Sequence, residues 1–141
     1  MTSYGEIYEI FSQKITDYKL LELSDNDVRE MLHGWMISAI AKFKRCKTDL
    51  SDRNDELYRF NSDLLDTEKE ILAELMVGEW LAPQLNSVLY TSQFYGGKEE
   101  KFFSQSNHLN TLTELKETNR INCLRLMRDY GYQSFLWSKH E

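Results

Sequence analysis

The side chains that most often bind metals are few in this sequence and widely separated. The histidines are His33, His108 and His140, and the cysteines are Cys46 and Cys123. A zinc site needs three or four ligands that converge at short distance, and closely spaced pairs such as C-x-x-C usually supply them. The sequence contains no such cysteine pair. It therefore predicts no metal centre, and Cys123 is interpreted as a small core residue.

An acidic run invites comparison with a calcium-binding loop. Such a loop requires a central glycine and a bidentate glutamate at its twelfth position. The run lacks both features, and its members are Asp49, Asp52, Asp55 and Glu56. We interpret the stretch from Asp49 to Phe60 as a solvated loop with at most a short helical turn.

The patterns that would indicate catalysis are incomplete. Glu70, Glu74 and Glu79 lie near one side of a predicted helix, but paired carboxylates do acid–base work only in a cleft that shifts their pKa. We interpret them as a solvent-facing side. Gly96-Gly97 lacks the surrounding pattern of a phosphate-binding loop, and no serine or cysteine has the context of a nucleophile. The prediction is a protein that is not an enzyme and binds no cofactor or nucleotide.

The overall composition narrows the class of protein further. The chain has 141 residues and a mass of 16.8 kDa, enough for one domain over residues 1–141. Its formal charge of -6 argues against general affinity for the DNA backbone. No apolar run approaches the roughly 20 residues of a membrane-spanning helix. With two cysteines and no signal peptide, a reducing compartment is expected.

The first of three long helical patterns is predicted from Ser24 to Lys47. Ser24 and Asp27 have the spacing that caps a helix N-terminus. Apolar residues then recur at steps of three and one, which fits a period of 3.6 and not a strand. They are Val28, Met31, Leu32, Trp35, Met36, Ala39, Ile40 and Phe43. The basic residues at the end of the pattern suit the negative end of the helix dipole, and they are Lys42, Lys44, Arg45 and Lys47.

The second pattern is predicted to begin at a capping box formed by Thr67 and Glu70. Its apolar stripe consists of Ile71, Leu72, Leu75, Met76 and Trp80. Pro83 is expected to end or kink this helix, because it lacks an N–H group and its ring clashes with the preceding turn.

The third pattern runs from about Ser106 to Tyr130, with Lys116 and Asn119 interrupting its apolar seam. A shorter helix is predicted from Tyr4 to Ile15, and the stretch from Tyr90 to Phe103 as a short hairpin or a loop. The fold class is therefore all-α: a bundle of about four helices, with a long loop before the C-terminal helix. Its predicted core includes Trp35, Phe43, Leu72, Met76 and Trp80, with the two tryptophans buried in one apolar cluster.

The C-terminal residues are unusually rich in aromatic side chains. Gly131 is a natural helix terminator, and we expect an extended tail to follow it. Burial of the tail against the chain's own core and docking on another protein are both open, because exposed aromatic patches commonly mark contact sites. The candidate docking residues are Tyr132, Phe135, Leu136 and Trp137.

Two of the helical segments resemble the head-tail connector, or adaptor, proteins of tailed bacteriophages. They read N-D-V-R-E-M-L-H-G-W-M-I-S-A-I-A-K-F from Asn26 to Phe43 and D-T-E-K-E-I-L-A-E-L-M-V-G-E-W-L from Asp66 to Leu81. The resemblance covers about a third of the chain and rests on an alanine-containing first helix and a second helix that ends in a tryptophan.

The resemblance implies a structural virion protein, located in the neck and assembled in the host cytoplasm. It implies a homo-oligomeric ring, commonly of twelve copies, that joins the portal protein to a stopper or tail-completion protein. DNA would pass through the ring as a non-specifically contacted substrate, and no membrane would be involved. The alternative is a small cytoplasmic helical module that regulates or binds another protein.

Overall fold

The computed structural model describes residues 1–15, 24–95 and 99–139, and the side chains among them except those of 88–95, 99–108 and 134–139. Within this part of the chain there are four helices: α1 (Tyr4–Lys14), α2 (Asp25–Lys42), α3 (Asp66–Tyr95) and α4 (Glu99–Lys139). The predicted all-α class with about four helices is confirmed. None of the described helices is long and apolar enough to cross a membrane.

A small antiparallel sheet, which was not predicted, joins the N-terminus to the loop after α2. Its strands are β1 (Thr2–Ser3), β2 (Arg53–Asn54) and β3 (Arg59–Phe60), in the spatial order β1-β3-β2. Each strand has only two residues, too few for an alternating pattern to be visible in the sequence. The stretch from Asp49 to Phe60 is therefore a hairpin and not a plain solvated loop.

The sheet positions α1, which begins where β1 ends. The Ser3 hydroxyl accepts a hydrogen bond from the Gly5 N–H, and the Glu6 carboxylate accepts one from the Ser3 N–H, which completes a capping box. The helix buries Tyr4, Ile7 and Phe11 on one face. The predicted short helix at this end of the chain is confirmed.

The helix α2 begins as predicted but ends earlier. The Ser24 hydroxyl accepts a hydrogen bond from the Asp27 N–H, 3.2 Å away. The last helical residue is Lys42, and Phe43 caps the C-terminus through its N–H. Arg45 has a φ of 63°, which is left-handed and incompatible with a continuing helix. The prediction that the helix reaches Lys47 was wrong.

The helix α3 begins differently from the prediction and continues past Pro83. It starts at Asp66. The Glu68 carboxylate accepts a hydrogen bond from the backbone N–H of Leu65, the residue before the helix, at 2.8 Å. The predicted capping box of Thr67 and Glu70 was wrong. Pro83 lies inside the helix and does not end it, so of the two effects predicted for this residue only the kink remains a prediction.

The helix α4 is longer than predicted in both directions. With 41 residues it is about 60 Å long at 1.5 Å per residue. The stretch from Tyr90 to Phe103 is helical up to Tyr95 and again from Glu99, so neither a hairpin nor a long loop precedes α4. Gly131 lies within the helix, which continues to Lys139. The predicted helix stop at Gly131, and with it the extended tail, was wrong for the described residues.

The core lies between α1, α2, α3 and the second half of α4, and Phe60 of β3 belongs to the same buried cluster. Phe43, Leu72 and Met76 are buried there, as is Cys123 on α4. Trp35 and Trp80, which were predicted to be buried in one apolar cluster, both pack against this cluster and are half-buried. An indole at the edge of a helix stripe keeps part of its ring in water while the rest packs.

The two polar residues that interrupt the seam of α4 face α3. The Lys116 Nζ donates to the Gly78 carbonyl at 3.0 Å, and the Asn119 amide donates to the Glu74 carbonyl at 2.8 Å. Asn119 is buried, and a Cβ atom added at Gly78 would come within 2.6 Å of its Oδ1. The missing side chain at Gly78 therefore lets the two helices approach each other at this point.

Replacing Gly78 by alanine is expected to lower the free energy of unfolding by about 1–3 kcal/mol, because Asn119 must move from its hydrogen bonds to Glu74. Gly34→Ala in α2 is the matched control, since a Cβ there meets no atom within 4 Å. Alanine is the better helix former by about 1 kcal/mol, so the control is expected to stabilise the protein. Urea denaturation of both variants measures the two effects. Equal stabilisation in both would contradict the close contact.

Candidate protein-docking surface

The docking residues predicted in the sequence lie at the far end of α4. The Tyr132 side chain is 63% exposed, so it is available to a partner. Phe135, Leu136 and Trp137 belong to the helix, but their side chains lie outside the described part of the structure. The structure therefore places one predicted docking residue on the surface and leaves the other three undescribed.

A groove of about 460 Å³ lies between the C-terminal end of α2, the middle of α3 and α4. Its floor is largely apolar and includes Leu75, Cys123, Leu124 and Met127. Leu124 is 52% exposed. The volume falls within the range of about 300–1,000 Å³ that is typical of binding cavities. An open apolar floor of this kind favours contact with another molecule.

The rim of the groove is mainly cationic. It carries Lys42, Lys44, Lys116 and Arg120, with Glu117 as the acidic lining residue. Glu117 accepts hydrogen bonds from the Arg120 guanidinium, and Lys42 forms an ion pair with Glu79 on α3. Lys44 is exposed. The groove is therefore a positively charged surface on a chain whose overall charge is negative.

A buried carboxylate, that of Glu68, lies at the centre of a hydrogen-bond network. The Glu68 side chain is fully buried and accepts hydrogen bonds from the hydroxyl groups of Thr48 and Tyr130, at 2.9 and 2.7 Å, and from the Cys46 thiol at 3.3 Å. The Tyr130 hydroxyl oxygen in turn accepts from the Lys47 N–H at 2.9 Å. This network ties the start of α3, the loop after α2 and α4 to one another.

The network determines the ionisation of its members. Burial by itself raises the pKa of Glu68, but the hydrogen bonds from the Leu65 N–H, Tyr130, Thr48 and Cys46 outweigh it and hold that pKa below its usual value. Burial and the neighbouring Glu68 charge raise the pKa of the Cys46 thiol to about 12. A thiol that remains protonated at neutral pH is a poor nucleophile, so the network is suited to holding structure and not to covalent catalysis.

The pH dependence of stability is expected to reflect Glu68. Because its pKa is lowered on folding, the ionised carboxylate stabilises the protein above its unfolded-state pKa of about 4.3, and this contribution is lost as the pH falls through the folded-state value. The difference in unfolding free energy between the native protein and Glu68→Gln is expected to be largest near pH 7 and to shrink below about pH 4. Denaturation at a series of pH values measures it. A difference that is independent of pH would contradict the ionised state.

The hairpin apex, residues 55–58, forms a second exposed surface. Leu57 is 57% exposed, and Glu56 beside it is also exposed. The Asn54 side chain accepts hydrogen bonds from the N–H groups of Glu56 and Leu57, both at 3.0 Å, and Tyr58 has a φ of 53°. Together, these features fix the backbone of the turn.

The base of the apex is attached to α1 and α2 through Asp55. Its carboxylate accepts from the Tyr4 hydroxyl at 2.6 Å and lies 3.2 Å from the His33 Nε2 and 3.3 Å from the Arg53 Nε. The Arg29 guanidinium lies over the Tyr58 ring, 5.0 Å from its centroid. The Tyr4 hydrogen bond and the His33 and Arg53 contacts lower the pKa of Asp55, although its partial burial acts in the opposite direction. The apex is therefore held in place as an acidic projection.

The other candidate residues of the sequence do not converge. Among the described side chains, no three of the His, Cys, Asp and Glu type are grouped so as to hold a metal ion. The His108 side chain and all of His140 lie outside the described residues. Glu70 and Glu74 both pair with Lys14 of α1, and the Glu74 side chain is only 13% exposed. The interpretation of Glu74 as solvent-facing was therefore wrong.

Neither Glu68 nor the groove was predicted from the sequence. Glu68 lies beside the apolar stripe of α3 and accepts a hydrogen bond from the Leu65 N–H. Leucine is not a residue type that marks a helix start, so the sequence gives no sign of this cap. Lys42 and Lys44 were interpreted only as cations at a helix end. Lys116 and Asn119, which interrupt the apolar seam of α4 and line the groove, were the signal that could have indicated it. Polar residues on a buried face need hydrogen-bond partners.

Comparison with known proteins identifies no relative, since no family model, curated protein or solved structure matches the chain.

Proposed function

We propose that the chain is a structural virion protein of a bacteriophage neck. In this role it assembles into a ring, of twelve copies by family resemblance, between the portal protein and a stopper or tail-completion protein. The protein acts in the virion after assembly in the host cytoplasm. DNA passes through the ring without specific contacts, and the protein performs no catalysis.

The observation that carries the proposal is the packing of the two segments that resemble connector proteins. The segment Asn26–Phe43 lies in α2 and its C-terminal cap, and the segment Asp66–Leu81 forms the first half of α3. Met36 and Ala39 on α2 belong to the same buried cluster as Leu72 on α3. A resemblance that spans two helices in contact supports a shared fold more strongly than two isolated segments.

The surface of α4 also supports an assembly role. Several large apolar side chains on this helix are about half exposed or more: Leu115, Ile121, Leu124 and Tyr132. Exposed apolar groups on a helix are typical of surfaces that are covered by other proteins. The negative charge of the chain suits a channel wall through which DNA must slide without adhering.

The mass of the native particle with and without a candidate portal protein tests the proposal. We expect a complex that contains many copies of the chain when the portal protein is present, measured by light scattering after size exclusion. The alternative, a small cytoplasmic module that binds or regulates another protein, predicts a monomer or dimer under both conditions. A particle that stays monomeric or dimeric with cognate portal protein would reject the neck assignment.

Deletion of residues 132–141 is expected to abolish attachment to the portal while leaving thermal stability nearly unchanged. The deletion removes the exposed Tyr132 together with the other three candidate docking residues, and it retains the buried Tyr130 and its hydrogen bond to Glu68. Thermal unfolding and portal co-sedimentation measure the two effects. A truncated protein that unfolds, or one that still attaches, would show that this segment is not the portal contact.

A further inference from the structure

The groove has the properties of a receptor for an acidic segment with an apolar side chain. Leu75, Leu124 and Met127 line its floor, and lysine and arginine residues stand along its rim. An apolar group that enters such a groove is stabilised by burial, at about 25 cal/mol per Å² of apolar surface. Acidic groups beside it would meet the cationic rim, which favours one orientation of the segment over others.

The hairpin apex of the same chain has the complementary properties. Leu57, between Glu56 and Tyr58, is 57% exposed, and the Asp55 side chain is 48% exposed. The Asn54 hydrogen bonds and the left-handed Tyr58 already fix the turn. A segment that is ordered before it binds loses little conformational entropy on docking.

The two surfaces lie on opposite flanks of α2. His33 contacts the hairpin through Asp55, whereas Lys42 lines the groove. These residues are nine positions apart, and at about 100° per residue they point in directions about 180° apart around the helix axis. A rigid hairpin on one flank cannot fill the groove on the other flank of its own chain, so the complementary segment must come from elsewhere.

We propose that a second copy of this chain occupies the groove, placing its Leu57 on the apolar floor and its Glu56 beside the Lys44 side of the rim. The contact joins two different surfaces, and such head-to-tail contacts generate a ring when the rotation between neighbours closes. The inference that this contact closes into a ring rests on the proposed neck function. The docking of one copy on another does not, and it can be measured with the purified chain alone.

A charge exchange tests the docking in the purified full-length protein. Sedimentation velocity over a range of concentrations is expected to show mass increasing with concentration. Lys44→Glu and Glu56→Lys are each expected to weaken this association by about tenfold or more, because each places like charges opposite one another. Combining both changes in one chain is expected to restore the association. An equimolar mixture of the two single variants is expected to form heterodimers that neither forms alone.

The apolar part of the contact is tested by Leu57→Ser, which is expected to weaken association by about tenfold or more, since a buried leucine contributes roughly 1.5–3 kcal/mol. Leu65→Ser is the matched control, because Leu65 is 59% exposed at the start of α3, outside both surfaces. A chain that remains monomeric at every concentration, or an association that neither charge reversal weakens, would overturn the docking. Attachment to the portal protein is measured separately. If the chain does not self-associate but still attaches to the portal, the docking proposal is rejected and the proposed neck function is not.

Discussion

Replacing Glu68 by alanine is expected to lower the free energy of unfolding by about 3 kcal/mol or more. The change leaves the buried Tyr130 hydroxyl without the carboxylate to which it donates and removes the acceptor of the Leu65 N–H. A hydrogen bond to a charged group contributes about 1.5–3 kcal/mol, and a buried donor left unsatisfied costs about 1–3 kcal/mol. Relief from burying a charge offsets part of this loss. Guanidinium denaturation gives the net value.

Two variants separate the buried network from general effects of removing a glutamate. Glu70→Ala breaks an ion pair of a side chain that is 42% exposed, and we expect a loss of no more than about 1 kcal/mol. Glu68→Gln retains an acceptor oxygen but loses the charge, so its effect should fall between those of the two alanine variants. A Glu68→Ala protein as stable as Glu70→Ala would show that the network does not stabilise the fold.

Replacing Phe60 by alanine is expected to lower the free energy of unfolding by about 3–5 kcal/mol, the range found for large aromatic side chains in cores. Phe60 is fully buried on β3, and its ring centroid lies 5.0 Å from that of Tyr4, edge to face. Its backbone is paired with both Thr2 and Arg53. The cavity would open where the sheet joins α1, and thermal or chemical denaturation would report the loss.

The matched control for this change is Tyr132→Ala. It removes a ring of similar size that is 63% exposed, and substitutions at such positions usually change stability by no more than about 0.5 kcal/mol. Phe60→Leu fills most of the cavity and is expected to lose less than the alanine variant. Similar losses in Phe60→Ala and Tyr132→Ala would contradict the role of Phe60 in anchoring the sheet.

The parts of the fold that could be predicted are those in which local chemistry and packing agree. Ser24 caps α2 because a serine hydroxyl can satisfy a free N–H at any helix start, whatever the rest of the chain does. The apolar stripes of α2 and α3 predicted helices that bury Met36 and Leu72, since a period of 3.6 residues places such residues on one face. These signals depend only on neighbours along the chain.

The errors arose where a local signal was too weak to decide the structure. Gly131 favours a helix end, yet α4 continues through it, and α3 likewise continues through Pro83. A glycine costs a helix about 1 kcal/mol and a proline about 3 kcal/mol relative to alanine, so neither residue by itself decides where a long helix ends. The hairpin was missed because its two-residue strands are held by Phe60 and Tyr4, which are far apart in sequence.

The sequence by itself thus determined the helical class, the start of α2 and the polar interruptions in the α4 seam. Only the tertiary structure decided what those interruptions do. Lys116 and Asn119 donate to backbone carbonyls of α3, and the absent side chain of Gly78 makes room for them. It also decided that Glu68 is buried among donors from three separate segments, represented by Thr48, Leu65 and Tyr130. A hydrogen bond requires two groups within about 3 Å, and for residues distant in the chain that separation is set by packing and not by sequence spacing.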